Sequence, residues 1–196
     1  MPGEPEVLPP DKILQQLAKL FLTPAHDRHL YTVFGPYHRL RPFQKRLQDE
    51  VKRGNFNTLG RVEYLSLNCD LMAHMQARGT SDQAAHLAKA GRNQQLRDLL
   101  SQAFRDLITS RIEPPGTLAL VLADFELLYA YDLGANDISI VRQVAINGKR
   151  VCLLLPGALH DGRLWVFDED HESRREFPEP LLFLTSGWVF TFSPEP

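Results

Sequence analysis

The sequence predicts an α/β protein with a mostly parallel sheet flanked by helices, and three observations support this. Two continuous apolar runs, 117–123 and 150–155, lack strict alternation, which is typical of strands buried on both faces. Residues 95–112 carry an apolar stripe at helical spacing, which predicts a helix packed on that sheet. Strands that alternate with helices along a chain indicate parallel pairing.

Length and composition fit one domain. The chain has 196 residues, of which 43% are hydrophobic and 23% are charged, as in an ordinary globular protein. The Pro-rich segment 1–10 is predicted to be a mobile tail. Residues 11–196 are then a single α/β domain with a helical segment at 79–112.

The first half of this domain is predicted to alternate between helices and strands. Asp11 is a good N-cap for a helix that Thr23-Pro24 ends, and Asp70 is a good N-cap for a later short helix. The predicted segments are a helix at 12–22, a strand at 29–34, a helix through about residue 52, a strand at 61–68 and a helix at 71–77.

The second half adds the buried strands and a change of pattern near the C-terminus. A helix is predicted over 138–146, and Pro156-Gly157 is expected to end the strand 150–155. Two further strand-like runs, 164–168 and 180–192, are separated by an acidic stretch. They predict a C-terminal β-hairpin at the edge of the sheet.

Segment 35–43, GPYHRLRPF, lies between a predicted strand and a predicted helix, which is the layout of a phosphate-binding P-loop. The motif G-x-x-x-x-G-K-[ST] places Gly35 at the first glycine and Leu40 at the second. It places Arg41 at the lysine and Pro42 at the Ser/Thr. Only the first glycine is kept, so a plain strand-to-helix connection is the alternative.

These replacements predict a degenerate phosphate loop. Leucine does not easily adopt the glycine conformations that let backbone amides surround a phosphate. Proline has neither a hydroxyl for Mg²⁺ nor an N–H for an anion, whereas Arg41 keeps a positive charge on a differently shaped side chain. Pro42 fits the first position of the following helix.

Asp124 directly follows the apolar run 117–123, and Glu126 comes two residues later. Open α/β sheets bind ligands at the carboxyl ends of their parallel strands. P-loop NTPases hold Mg²⁺ with an acid at this position. Asp is also a favoured N-cap, so capping of a helix that starts near Phe125 is the alternative.

Charge is unevenly distributed although the net charge is only −2. Segment 28–61 is rich in Lys and Arg, and the residues that would contact nucleic acid there are Arg39, Arg41, Lys45 and Arg46. A solvated helix face is the commoner cause of such a cluster.

Other sites and locations have little support in the sequence. His26, His29 and His38 lack acids or cysteines at ligand spacing, so no metal site is predicted. The two cysteines belong to no CxxC motif and are expected to be reduced thiols of a cytoplasmic protein. The N-terminus lacks a signal-peptide pattern, and no apolar run has the length of a membrane span.

Four segments together resemble a known family. They are VFGPYHRLRPF, VEYLSLNCDL, LALVLADFELLYAYDL and KRVCLLLPGALHDGRLWVFDEDHESRREF, and they resemble BrxF, a small P-loop protein of bacterial BREX phage-defence systems. The resemblance extends over 13–177, and its most specific part is 118–132. It departs from the family at Leu40-Arg41-Pro42, where BrxF-type proteins have a usable Gly-Lys-Thr. BrxB is a second similar family, because its apolar strand also ends in Pro-Gly.

The resemblance implies a non-catalytic or nucleotide-impaired subunit of an anti-phage complex. Its expected partners are larger components such as a AAA-type ATPase or a methyltransferase, and no cofactor is expected. One alternative is an active Mg²⁺-dependent NTPase that binds ATP through Gly35, Arg41, Asp124 and Glu126. Another is a DNA-binding accessory protein that uses segment 28–61.

Overall fold

The structure is a computed structural model that describes residues 5–22, 29–56, 60–125, 128, 133, 135–161, 163–167, 175–176 and 189–194. Its helices are α1 (Pro10–Leu22), α2 (Tyr37–Lys52), α3 (Leu67–Ala77), α4 (Ser81–Lys89), α5 (Asn93–Ile112) and α6 (Ala135–Ile146). Its strands are β1 (Glu6–Leu8), β2 (His29–Gly35), β3 (Arg61–Ser66), β4 (Thr117–Ala123), β5 (Arg150–His160), β6 (Arg163–Val166), β7 (Arg175–Glu176) and β8 (Val189–Phe192).

Six of these strands form a parallel sheet in the order β1-β8-β2-β5-β4-β3. Each neighbouring pair in this order runs parallel. Strands β4 and β5 are buried along most of their length, as their continuous apolar sequences predict, and β2 is buried throughout. The predicted α/β class with a mostly parallel sheet is therefore confirmed.

Helices cover both faces of the sheet, and alternate strand residues face the two layers. In β4, Leu120 and Leu122 belong to the core shared with α3, α5 and α6. Ala119 and Val121 belong to the core shared with α1 and α2. We call these two sides the α3/α5/α6 face and the α1/α2 face. This double burial explains why β4 lacks the polar alternation of a half-exposed strand.

Three predicted boundaries differ from the structure by four or five residues. Helix α2 begins at Tyr37, five residues before Pro42, and helix α3 begins at Leu67, with Asp70 inside its first turn. Strand β5 continues through Pro156-Gly157 to His160. It continues because 157–160 leave the parallel sheet and pair with β6 in antiparallel register.

The described residues at the two chain ends pair with other strands of the sheet. The predicted tail 1–10 contains β1 and the first residue of α1, because β1 pairs with β8. Strand β6 makes antiparallel pairs with β5 and β7, whereas most of the predicted strand 180–192 lies outside the described residues. Within 180–192, the described strand β8 lies parallel between β1 and β2. Among the described strands, the antiparallel unit near the C-terminus is formed by β5, β6 and β7.

The two cysteines occupy different environments. Cys152 is fully buried in β5, and burial raises the pKa of its thiol, whereas Cys69 on α3 is exposed. Because the thiolate is the reactive form, we expect Cys69 to react with an aromatic disulfide at pH 8 and Cys152 to react only on unfolding. Thiol titration with and without guanidinium checks this, with Cys69→Ser as the control. Two rapidly reacting thiols in the native protein would contradict it.

Among the helices of the described residues, none combines the length and the apolar character that crossing a membrane requires.

Candidate functional site at the carboxyl edge of the sheet

The fold brings Gly35 and Asp124 to the same edge of the sheet. Gly35 ends β2 and Asp124 follows β4, with β5 between the two strands. Two strand spacings separate them by about 10 Å. The helix after β2 lies on the α1/α2 face and the helix after β4 lies on the opposite face, so the chain changes direction here. Open α/β sheets bind ligands at such switch points.

Gly35 is needed for packing at this edge. A Cβ atom on Gly35 would lie 2.5 Å from a ring carbon of Phe192 in β8. The Phe192 ring is itself held by an edge-to-face contact with Phe43 of α2, at 5.5 Å between centroids. The Arg39 guanidinium lies over the same ring at 5.4 Å and donates a hydrogen bond to the carbonyl of Ser193. The glycine therefore makes room for an aromatic ring.

Strand β2 is joined to α2 through Pro36 alone. A P-loop needs four residues between its two glycines to wrap around a phosphate. Here Pro36 has no N–H, and its carbonyl already accepts the backbone N–H groups of Arg39 and Leu40 at 3.0 and 2.9 Å. The region that the motif places in a loop is therefore the first turn of a helix.

The other motif positions lie on α2. Leu40 is fully buried in the core on the α1/α2 face. Arg41 is exposed, and its guanidinium stacks on the ring of Tyr37 at 5.3 Å. Pro42 lies inside the helix, so its prediction as the first helical residue is wrong. That prediction missed Pro36, which precedes the helix directly and ends the strand.

Asp124 is half-buried and has a φ of 57°. This left-handed conformation is tolerated by Asp more readily than by most residues, and it differs from the extended conformation of a typical N-cap. The carboxylate of Asp124 accepts a hydrogen bond from the hydroxyl of Ser66, at the end of β3. The structure thus anchors Asp124 to the neighbouring strand.

Ser66 links two carboxylates. Its hydroxyl donates to Asp124, and its backbone N–H donates to the carboxylate of Asp70 at 2.8 Å. Asp70 therefore does bind the start of α3, although that start lies four residues earlier than predicted. The partnership of Ser66 with Asp124 was missed because it joins residues 58 positions apart.

Tyr64 lies close to the same carboxylates. Burial of its ring raises the pKa of its hydroxyl, and the negative charges of the Asp124 and Asp70 carboxylates raise it further. The hydroxyl therefore stays protonated at neutral pH and remains a hydrogen-bond donor beside Asp124. The sequence gives little indication of this position, since the pattern around Tyr64 is that of an ordinary apolar residue in a strand.

Strand β5 supplies no polar side chain at this edge. The residues that lie between the ends of β2 and β4 are Leu155, Pro156 and Gly157. Beyond them β5 passes into its hairpin with β6. The centre of the switch point is therefore lined by apolar atoms and backbone.

Glu126, the second predicted acid, lies outside the described residues. Within the described ranges, no group of three or more His, Cys, Asp or Glu side chains is arranged to hold a metal ion. The described site thus consists of the Asp124 and Asp70 carboxylates, which can accept hydrogen bonds or attract a cation, and of the Ser66 and Tyr64 hydroxyls, which can donate hydrogen bonds.

The predicted nucleic-acid-binding residues divide into two pairs. Arg39 contacts Phe192 and Ser193, and Arg46 forms an ion pair with Asp11 of α1. Arg41 and Lys45 are exposed one turn apart on the outer surface of α2. Arg46 is exposed as well, so the structure brings three of the four to the surface, with Arg46 paired there with Asp11.

Comparison of the chain with protein-family models, with curated proteins and with solved structures found no match.

Proposed function

We propose that this protein is a nucleotide-impaired, P-loop-like α/β protein that acts by docking on a larger protein rather than by hydrolysing ATP. The observation that carries the proposal is the direct connection of Gly35 to α2 through Pro36. Without a loop, the backbone N–H groups that cradle the phosphates of a bound nucleotide have no place.

The neighbouring side chains support the same conclusion. Arg41 stacks on Tyr37 at the solvent-exposed surface of α2, away from the core position of Leu40. The space beside Gly35 is filled by the ring of Phe192, and β5 places no polar side chain between Gly35 and Asp124. Phosphoryl transfer depends on positioned charge around the phosphates, which these residues do not offer.

The resemblance to BrxF indicates where such a protein would act. We propose a bacterial anti-phage complex of the BREX type, with a AAA-type ATPase or a methyltransferase as the docking partner. Size-exclusion chromatography with light scattering tests this with the purified protein and each BREX component in turn. A stable complex with one of them supports the setting, and only free species at micromolar concentrations would contradict it.

The nucleotide part of the proposal is tested by thermal unfolding with 1 mM ATP and Mg²⁺. A site with a Kd near 10 μM would stabilise the native state by about 2.7 kcal/mol, which corresponds to a rise in Tm of roughly 5–10 °C for a domain of this size. We expect no rise beyond about 1 °C, because the phosphates have no cradle.

An active Mg²⁺-dependent NTPase is the second candidate, favoured by the position of Asp124 at the same edge as Gly35. The variant Asp124→Asn separates the two proposals, because Asn tolerates the left-handed conformation and keeps an acceptor for Ser66 while losing the charge. A rise in Tm with ATP that Asp124→Asn abolishes would contradict the docking proposal and establish a nucleotide site.

A further inference from the structure

A groove lies on the α3/α5/α6 face, at the side of the sheet that ends in β3. Its floor is formed by Arg61 and Glu63 of β3, and its walls by α3 and the last turn of α5. The groove is open to solvent and has a volume of about 490 Å³. This size is typical of sites for small organic ligands.

The charged groups of the groove are partly paired with each other. Arg61 contacts the carboxylate of Glu63 at 2.7 Å. The guanidinium of Arg111 lies between Glu63 and Asp70, at 3.7 and 3.6 Å from their nearest oxygens. Glu63 is the most buried of these groups, with 15% of its side chain exposed. The two carboxylates therefore hold Arg111 over the groove electrostatically.

Some hydrogen-bond donors of the groove have no acceptor among the described residues. The contacts of Arg111 are too long to be hydrogen bonds, so in the described part of the chain its five N–H groups have no acceptor. His74 of α3 also lines the groove, and its Nε2 atom is buried without a hydrogen-bond partner among the described residues. Burial, followed by the charge of Arg78, lowers the pKa of His74, which favours the neutral ring.

The carboxylates limit the charge of a ligand. Glu63 accepts from Arg61, and Asp70 accepts the backbone N–H of Ser66, so both acids already have partners. The carboxylates of Glu63 and Asp70 balance the positive charges of Arg61 and Arg111. These carboxylates would repel a ligand with several negative charges. A cationic ligand would have to compete with Arg111. A single negative charge with oxygen acceptors fits the unused donors best.

We propose that this groove binds the carboxylate of a small amphipathic monoanion, with its oxygens on the guanidinium of Arg111, and that His74 in the groove wall reports the binding. The apolar part of the ligand would pack against Ala73, Ala77, Leu107 and Pro114. Planar carboxylates match the paired N–H groups of a guanidinium. The proposal uses none of the residues of the P-loop-like edge except Asp70, and it is independent of whether nucleotide binds.

The test uses two sets of probes that differ only in the head group. They are 3-phenylpropanoate, 3-phenylpropanamide and 3-phenylpropylamine, and hexanoate, hexanamide and hexylamine. Chemical shifts of the Arg111 side chain and of His74 are followed by NMR during titration to 20 mM. We expect both carboxylates to shift these resonances saturably and the amides and amines to cause at least tenfold weaker effects.

Arg111→Gln should weaken carboxylate binding at least tenfold, because it removes the charged donors, with the His74 resonances as the readout. Arg105→Gln on the same helix is the matched control and should bind like the wild type. Thermal unfolding verifies that both variants fold, as expected since Arg105 is exposed and Arg111 is half-buried. Absence of carboxylate binding at 20 mM, equal binding of the amides, or unchanged binding in Arg111→Gln would overturn the proposal.

Discussion

Replacing Phe192 by alanine is expected to lower the free energy of unfolding by about 3–5 kcal/mol, the cost of truncating a buried aromatic ring. The ring is 6% exposed and packs on Phe43, on Gly35 and under Arg39. Its loss leaves a cavity between β8 and α2 that the rigid sheet cannot close. Urea unfolding followed by circular dichroism measures the change. A loss below about 1 kcal/mol would contradict this packing.

A double-mutant cycle then tests why Gly35 is a glycine. Gly35→Ala in the wild type should cost about 1–3 kcal/mol, because its Cβ meets the Phe192 ring. In the Phe192→Ala background the same change should cost less than about 0.5 kcal/mol, since the ring is gone. Equal costs in both backgrounds would show that the glycine serves something other than this contact.

The second large effect is expected for Gly157→Ala. A Cβ on Gly157 would lie 2.1 Å from the backbone oxygen of Trp165. Backbone cannot rotate away as a flexible side chain can, so β5 and β6 must separate at this point. We expect a loss of about 3 kcal/mol or more in the free energy of unfolding, at the upper end of the effects of overpacking.

The control for this variant is Ala158→Ser, which adds one atom at the next residue, where the side chain is partly exposed. It should change stability by less than about 0.5 kcal/mol. Amide hydrogen exchange locates the effect, since Gly157→Ala should expose the amides of β6 before those of β4. Wild-type stability of Gly157→Ala would mean that β6 does not lie against β5 as described.

These two glycines alter how the apparent motif is understood. Gly35 is the one position at which the sequence keeps the P-loop pattern, and the structure gives it a packing contact instead. Pro156-Gly157 reads as the end of a strand, yet Gly157 allows β6 to approach β5 closely. In both cases the reason for the glycine is an atom more than seven residues away in the sequence.

The class of the fold could be predicted from the sequence because it depends on local patterns. The continuous apolar run of β4 reflects burial on both faces of the strand. The apolar stripe of α5 reflects burial on one face of the helix. Each pattern repeats over a few residues, so neighbouring residues alone reveal it. The position of Asp124 after β4 followed in the same way, and parallel pairing of the strands placed it at the edge with Gly35.

The order of the strands and the roles of single residues required the tertiary structure. Strand β8 lies between β1 and β2, although these strands are far apart in the sequence, and no local pattern specifies that pairing. The contacts of Ser66 with Asp124 and of Arg39 with Phe192 likewise join distant segments. Hydrophobic periodicity reports how much of an element is buried, whereas the partner that buries it is decided by packing over the whole chain.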